Sequence, residues 1–242
     1  MKTSPLKVFV HVPKTAGSTV NGYLKKSDGV GLTHVEGWID DNTKLKQELK
    51  RLDWISGHVT FPQFRSKLSN STFRRLDFFA TLRNPKSQLM SHYNWLIEIY
   101  NKGENFYNTH PDKIKEISEN IRKCGNGKAS DVVEQILAAP GLFLNQQTRL
   151  VFGEVPADMT EISILNRLSV YNLVCVENLL PVFVSKVSGV NYDDSYRENE
   201  SRYHFDTRIF DDIEMSEFIE KHHSADLALY KTVAKYGIIE RR

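Results

Sequence analysis

The chain has 242 residues, of which 40% are hydrophobic and 26% charged, and this composition is typical of a globular protein long enough to bury a core. Its net charge of +2 excludes the strong basic field that would indicate nucleic acid or an anionic membrane as partner. No run approaches the roughly 18 apolar residues of a membrane span, and the two cysteines lie outside any metal-binding spacing. These features predict a cytoplasmic protein without a bound metal.

Short apolar runs rich in β-branched and aromatic residues predict strands over 6–12, 54–57, 75–82 and 171–177. Amphipathic runs predict helices over 18–26, 42–52, 85–100, 112–122, 130–139, 178–188 and 214–236. Two polar stretches, 103–112 and 191–206, are expected to be loops. Buried strands that alternate with helices indicate parallel βαβ units and therefore an α/β fold.

Three polar motifs each follow a predicted strand. Lys14 follows the first strand, His58 the second and Arg83 the third. Ligands of parallel sheets bind at the carboxyl ends of the strands. The shared position therefore predicts that the three motifs belong to one site.

The first motif, "PKTAGST" (13–19), joins a strand to a helix and has the features of an anion site. The first amides of a helix are unpaired, and the helix dipole favours negative charge beside them. Gly17 allows a close backbone approach, and Thr15, Ser18 and Thr19 add hydroxyl donors to the charge of Lys14. The alternative is an ordinary helix that Ser18 caps, with Lys14 solvated.

The same motif differs from a Walker A loop, in which the lysine follows the second glycine near the start of the helix. Here Lys14 precedes Gly17, and the loop is shorter. The sequence also offers no clear aspartate after a strand that would hold Mg²⁺. Both features argue against a triphosphatase or an ordinary kinase.

Three segments in order resemble carbohydrate sulfotransferases, particularly the group that contains heparan sulfate 2-O-sulfotransferase and its bacterial relatives. They are "HVPKTAGST" (11–19), "WISGHVTF" (54–61) and "LRNPKSQLMSHY" (82–93). Segments 145–153 and 171–179 show a looser likeness. The heparan sulfate enzymes carry His-Gly-His in the middle motif, whereas this chain has Ser56 in place of the first histidine.

The resemblance implies a single sulfotransferase domain over 1–242 with a P-loop NTPase-like three-layer sandwich around a central, mainly parallel sheet. It implies transfer of a sulfuryl group from 3′-phosphoadenosine 5′-phosphosulfate (PAPS) to an acceptor hydroxyl, on a saccharide or another molecule, without a metal. His58 would be the base, and Lys14 would stabilise the departing phosphate oxygen. The residues implied to bind the donor are Lys14, Thr15, Ala16, Gly17, Ser18 and Thr19 at the 5′ side, and Arg83 and Ser91 at the 3′-phosphate.

Other interpretations of these residues remain open. His58 is alternatively a packed or capping histidine, Ser91 an ordinary helix serine, and His11 a packed strand residue. Arg149, Ser201 and Arg202 are left unassigned between cofactor and acceptor. A Mg²⁺-dependent small-molecule kinase and a non-catalytic nucleotide-binding module are the alternative functions, and the acceptor and the oligomeric state are left open.

Overall fold

The computed structural model describes residues 2–195 and 202–241, which form two compact units. The first unit comprises 2–84, 147–195 and 228–241, and the second comprises 85–146 and 202–227. The expectation of one domain over 1–242 stays a prediction.

The first unit contains a six-stranded sheet. Its strands are β1 (Leu6–Val10), β2 (Gly31–Leu32), β3 (Trp54–Gly57), β4 (Leu76–Leu82), β5 (Leu173–Val176) and β6 (Ile238–Glu240). They lie in the order β2-β3-β1-β4-β5-β6, and every neighbouring pair is parallel except β5 and β6. This confirms the predicted α/β class with a mainly parallel central sheet.

Helices make up most of the remaining regular structure of the described residues. They are α1 (Gly17–Lys26), α2 (Asn42–Glu48), α3 (Phe61–Ser69), α4 (Pro85–Asn101), α5 (Glu104–Tyr107), α6 (Asp112–Cys124), α7 (Ala129–Ala138), α8 (Pro140–Phe143), α9 (Gln146–Phe152), α10 (Glu161–Leu168), α11 (Leu180–Ser188), α12 (Ile213–His222) and α13 (Ser224–Tyr236). Short 3₁₀ turns occupy Val35–Gly37, Glu177–Leu179 and Thr207–Asp211. None of these described helices has both the length and the apolar character that crossing a membrane requires.

Successive side chains of each strand point to opposite faces of the sheet, and both faces are buried in the first unit. On one face Phe9 and Cys175 join a buried cluster with residues of α1 and α11, such as Val20 and Phe183. On the other face the cluster contains strand residues with residues of α2, α3, α10 and α13, among them Val8, Ala80, Leu45, Phe64, Ile164 and Leu229. Helices therefore cover the sheet on both sides, which is compatible with a three-layer sandwich and explains why the strands are mainly apolar.

The second unit is helical within its described part. Buried residues of α4, including Leu89, Tyr93 and Leu96, share a core with Val132 of α7 and Phe218 of α12. The amphipathic spacing of these segments predicted the helices, although α12 and α13 were expected as one helix over 214–236. They are separate because the chain breaks at His223, whose side chain is fully buried.

The predicted strands are confirmed with ends that shift by one or two residues, and 54–57 is matched in full. The short strands β2 and β6 and the helices α3, α8, α9 and α10 were not predicted, and the expected loop over 103–112 contains α5. A two-residue strand such as β2 has no periodicity to detect. The polar stretch 191–206 was expected to be irregular, and its residues 196–201 lie outside the described part.

Candidate functional site

The carboxyl ends of three adjacent strands bring the predicted motifs to one edge of the sheet. Val10 of β1 is level with Gly57 of β3 and with Ala80 of β4. The residues that follow, His11, His58 and Thr81, are therefore neighbours at that edge. Thr81 still belongs to β4, and Arg83 follows the end of that strand. The expectation that the three motifs form one site stays a prediction.

The loop between β1 and α1 has an unusual backbone. Lys14 and Ala16 have φ of 65° and 66°, whereas Thr15 between them does not. Left-handed conformations cost non-glycine residues free energy, and alternating signs of φ point successive amides into one concavity, as in anion-binding nests. The loop therefore has the alternating backbone conformation that is typical of anion-binding nests.

The first turn of α1 has no cap from its own sequence. Its N-cap residue is Ala16, which provides no side-chain hydrogen bond, and the turn carries no acidic residue. By contrast, Asp41 caps α2 and Thr60 caps α3. Ser18 is the second residue of the helix, so the alternative in which Ser18 caps it is wrong. The first amides of α1 leave a positive helix end that suits an anion.

The side chain of Thr15 holds the loop in place. It is fully buried, and its hydroxyl donates to the carbonyl of Val12 at 2.9 Å. The hydroxyl of Thr81 on β4 donates to the carbonyl of Thr15 at 2.7 Å. The Thr15 side chain is therefore not available to a ligand, which could contact this residue only through its backbone. Of the other polar residues in the loop, Thr19 is nearly buried, whereas Lys14 and Ser18 are partly exposed.

Gly17 makes room for a histidine. A Cβ atom at this position would lie 1.9 Å from Nε2 of His11 and 2.0 Å from its Cδ2. The space that sequence analysis reserved for a ligand beside Gly17 is therefore filled by the His11 ring. The need for glycine here is steric and comes from His11, the residue that follows β1.

His58 is a half-buried histidine with a defined tautomer. Its Nδ1 lies 2.8 Å from the carbonyl oxygen of His11, which only accepts hydrogen bonds, so Nδ1 carries the proton. Burial lowers the pKa of His58 from its usual range, and the hydrogen bond to His11 and the charge of Glu36 oppose part of that effect. Burial therefore favours the neutral ring, which has its lone pair on Nε2.

His11 packs directly against His58. The two ring centroids are 4.3 Å apart, and His11 also stacks on Phe9 at 5.6 Å. Burial, followed by the charges of His58, His34 and Lys14, holds the pKa of His11 well below its usual range. Ser56, which stands where the resembled motif has its first histidine, is fully buried, and the histidine beside His58 is His11, the residue that follows β1.

Two further polar residues, His34 and Glu36, lie beside His58. Neither was predicted from the sequence to belong to the site. The carboxylate of Glu36 accepts the backbone N–H of His58 at 3.0 Å and lies 3.1 Å from Nδ1 of His34. A Cβ on Gly57 would lie 2.6 Å from the Glu36 carboxylate, so glycine at position 57 permits this approach. The His34–Glu36 segment precedes β3 by many residues, and only the fold brings it here.

Arg83 is fixed through its backbone. Its N–H donates to the side-chain oxygen of Gln147 at 2.9 Å, and the amide nitrogen of Gln147 donates to its carbonyl at 2.8 Å. Its guanidinium lies 3.3 Å from the carbonyl of Lys14. Gln147 is buried and belongs to the loosely similar segment 145–153, so it positions Arg83 beside the first loop.

The remaining predicted residues are placed as follows. Ser91 lies on α4 in the second unit and is nearly buried, and its expected role at the 3′-phosphate stays a prediction. Arg149 lies on α9 in the first unit, whereas Arg202 belongs to the second unit, where its carbonyl accepts from Asn94. Ser201 lies outside the described residues.

Comparisons with known proteins do not assign this chain to a family. The chain matches no protein-family model. A search of curated proteins found no match either.

The contact between Gly17 and His11 generates a stability prediction. Gly17→Ala forces the His11 ring to move, and we expect a loss of about 1–3 kcal/mol of unfolding free energy, as for other overpacked sites. Chemical denaturation measures the loss, and Ser18→Ala is the neighbouring control, with a change within about 0.5 kcal/mol.

The same contact predicts coupling between the two positions. In a His11→Ala background the added methyl group of Gly17→Ala meets empty space, so its cost falls by more than half. Equal costs of Gly17→Ala in both backgrounds would contradict the packing described here.

Proposed function

We propose that this protein is a PAPS-dependent sulfotransferase with the β1–α1 loop as its donor-binding loop and His58 as its base. The observation that supports this most is the tautomer of His58. Its proton is held on Nδ1 by the carbonyl of His11, and the lone pair of Nε2 is left for an acceptor proton. This arrangement lies at the same sheet edge as Lys14 and Arg83.

The residues at this edge fit an anionic nucleotide. The helix end at Gly17 has no side-chain cap and no acidic residue in its first turn, and Lys14 and Ala16 have the left-handed backbone conformation. Lys14 and Arg83 supply positive charge to this edge, and the Arg83 guanidinium lies 3.3 Å from the carbonyl of Lys14. The loop would hold the 5′-phosphosulfate through its backbone amides, through the helix dipole and through the side chains of Lys14 and Ser18, which are accessible. The loop residues proposed to take part are Lys14, Thr15, Ala16, Gly17, Ser18 and Thr19. Arg83 would bind the 3′-phosphate, since a guanidinium binds phosphate oxygens in pairs.

In the proposed reaction PAPS supplies the transferred group, and residues of the chain supply the base and the positive charge. PAPS supplies the sulfuryl group, which passes from a phosphate oxygen to the acceptor oxygen. His58 accepts the proton of the acceptor hydroxyl on Nε2, and the neutral ring that burial favours makes that possible. Lys14 places positive charge where the departing phosphate oxygen becomes negative.

The acceptor class rests on the resemblance to carbohydrate sulfotransferases. A saccharide hydroxyl or another alcohol is the proposed acceptor, and the near-neutral net charge gives no sign of a groove for a long polyanion. The P-loop NTPase-like form of the three-layer sandwich and a cytoplasmic location belong to the same proposal.

The alternative kinase would use a Walker A loop, in which the lysine follows the second glycine, whereas here Lys14 precedes Gly17. A non-catalytic module would not need a histidine whose free lone pair is fixed in place. Both observations favour the sulfotransferase.

Replacement of His58 by asparagine tests the base. The asparagine amide would still donate to the carbonyl of His11 but would lack a basic nitrogen, so His58→Asn should lower the rate of transfer at least about 100-fold. The assay uses labelled PAPS with a panel of saccharide acceptors, and with water as the slow background acceptor. Binding of 3′-phosphoadenosine 5′-phosphate serves as the control and should stay nearly unchanged.

A variant with full activity would contradict the role of His58. A His58→Asn variant that loses nucleotide binding in parallel with activity would instead assign His58 to the donor site.

Arg83 provides a separate test of the donor. Arg83→Ala removes a charge-assisted hydrogen bond worth about 1.5–3 kcal/mol, so binding of 3′-phosphoadenosine 5′-phosphate should weaken roughly 10- to 150-fold. Binding of adenosine 5′-phosphate, which lacks the 3′-phosphate, should change little. Calorimetry measures both, with Arg83→Lys as the matched variant that keeps the charge and should bind with intermediate affinity.

Equal losses for the two nucleotides would show that Arg83 binds the 5′ side. That result would overturn the assignment to the 3′-phosphate without affecting the role of His58.

A further inference from the structure

A second group of chemically active side chains lies beside the donor loop, and the proposed transfer uses only one of its members. The group consists of His34, Glu36 and His58. One ligand atom from each residue lies within 4.8 Å of those of the other two. Two imidazoles and a carboxylate are a common ligand set for a transition metal.

The backbone holds these three residues together by contacts that do not depend on a ligand. His34 has the left-handed conformation, with φ of 55° and ψ of 44°, and begins the 3₁₀ turn Val35–Gly37. Val35 is fully buried and anchors that turn, while Gly57 lets the Glu36 carboxylate approach β3. A non-glycine residue in this strained conformation is typical of functional positions.

One of the three ligand distances already suits a small divalent ion. Neighbouring ligands of a tetrahedral centre with bonds of about 2.0–2.1 Å lie about 3.3–3.4 Å apart. Nδ1 of His34 and a Glu36 oxygen are already 3.1 Å apart. The His34 side chain is 66% exposed, so its ring is able to rotate and bring the remaining ligand distances into range.

The surroundings of His58 also match those of a metal-binding histidine. Such a histidine usually donates its second ring nitrogen to a backbone carbonyl, which fixes the ring and makes it a better ligand. His58 does this through Nδ1 and the carbonyl of His11 at 2.8 Å. The exposure of His34 and Glu36 leaves the group open to solvent and to an incoming ion.

We propose that His34, Glu36 and His58 form a binding site for one zinc-class divalent ion. Two nitrogen ligands select zinc, nickel or copper over magnesium and calcium, which prefer oxygen. The ion would complete its coordination with water. This site is distinct from the donor loop and does not require the sulfotransferase activity.

Occupation of the site would have a consequence for the proposed activity. An ion on Nε2 of His58 takes the lone pair that accepts the proton, and an ion on Nδ1 replaces the proton that fixes the tautomer. Zinc would therefore inhibit transfer by removing the base. This consequence rests on the proposed function, whereas the binding itself does not.

Calorimetric titration of the metal-free full chain with zinc chloride tests the binding. We expect one ion per chain, and weakening of at least about tenfold for both His34→Ala and Glu36→Gln. Both positions are exposed, and glutamine keeps an oxygen that accepts the backbone N–H of His58. His204→Ala is the matched control, because His204 is exposed and belongs to the other unit, and it should leave zinc affinity unchanged.

Zinc affinity that is absent in the wild type, or unchanged in both His34→Ala and Glu36→Gln, would overturn the site. If zinc binds as expected but transfer by the wild type is not inhibited, the metal site stands and the role of His58 as base is contradicted. Thermal unfolding of each variant without metal confirms that the fold is retained.

Discussion

The hydrogen bond from Nδ1 of His58 to the carbonyl of His11 is the interaction on which the site depends. It joins the end of β3 to the end of β1 and fixes which nitrogen of His58 carries the proton. The ring of His11 in turn packs against Gly17 at the start of α1, so the position of the helix end follows from the same contact. His58 and the β1–α1 loop are therefore two parts of one packed arrangement.

Much of this arrangement could be predicted from the sequence, because it follows from strand periodicity. The apolar runs that end at Val10, Gly57 and Leu82 identified three buried strands, and parallel strands align their carboxyl ends. That alone placed Lys14, His58 and Arg83 at one edge. Which residue follows a strand depends only on where the apolar run ends, and the sequence shows that end directly.

The remaining features depend on contacts between segments that are distant in the chain. Glu36 reaches His58 because a buried valine anchors its turn, and Gln147 holds Arg83 from a helix 64 residues later. The role of Gly17 was assigned to ligand approach, since the sequence does not reveal that the His11 ring fills the same space. The strands β2 and β6 were missed for a related reason, because their two and three residues pair only within the complete sheet.

The most direct test of the account is thermal unfolding with 3′-phosphoadenosine 5′-phosphate compared with ATP and Mg²⁺. A ligand at about 100 times its dissociation constant adds roughly 2.7 kcal/mol, which should raise the midpoint by about 5–10 °C for a chain of this size. If the β1–α1 loop binds the sulfuryl donor, this shift appears with the 3′-phosphorylated nucleotide and is much smaller with ATP and Mg²⁺. A shift with ATP and Mg²⁺ alone would contradict the sulfotransferase and identify the edge as a kinase site.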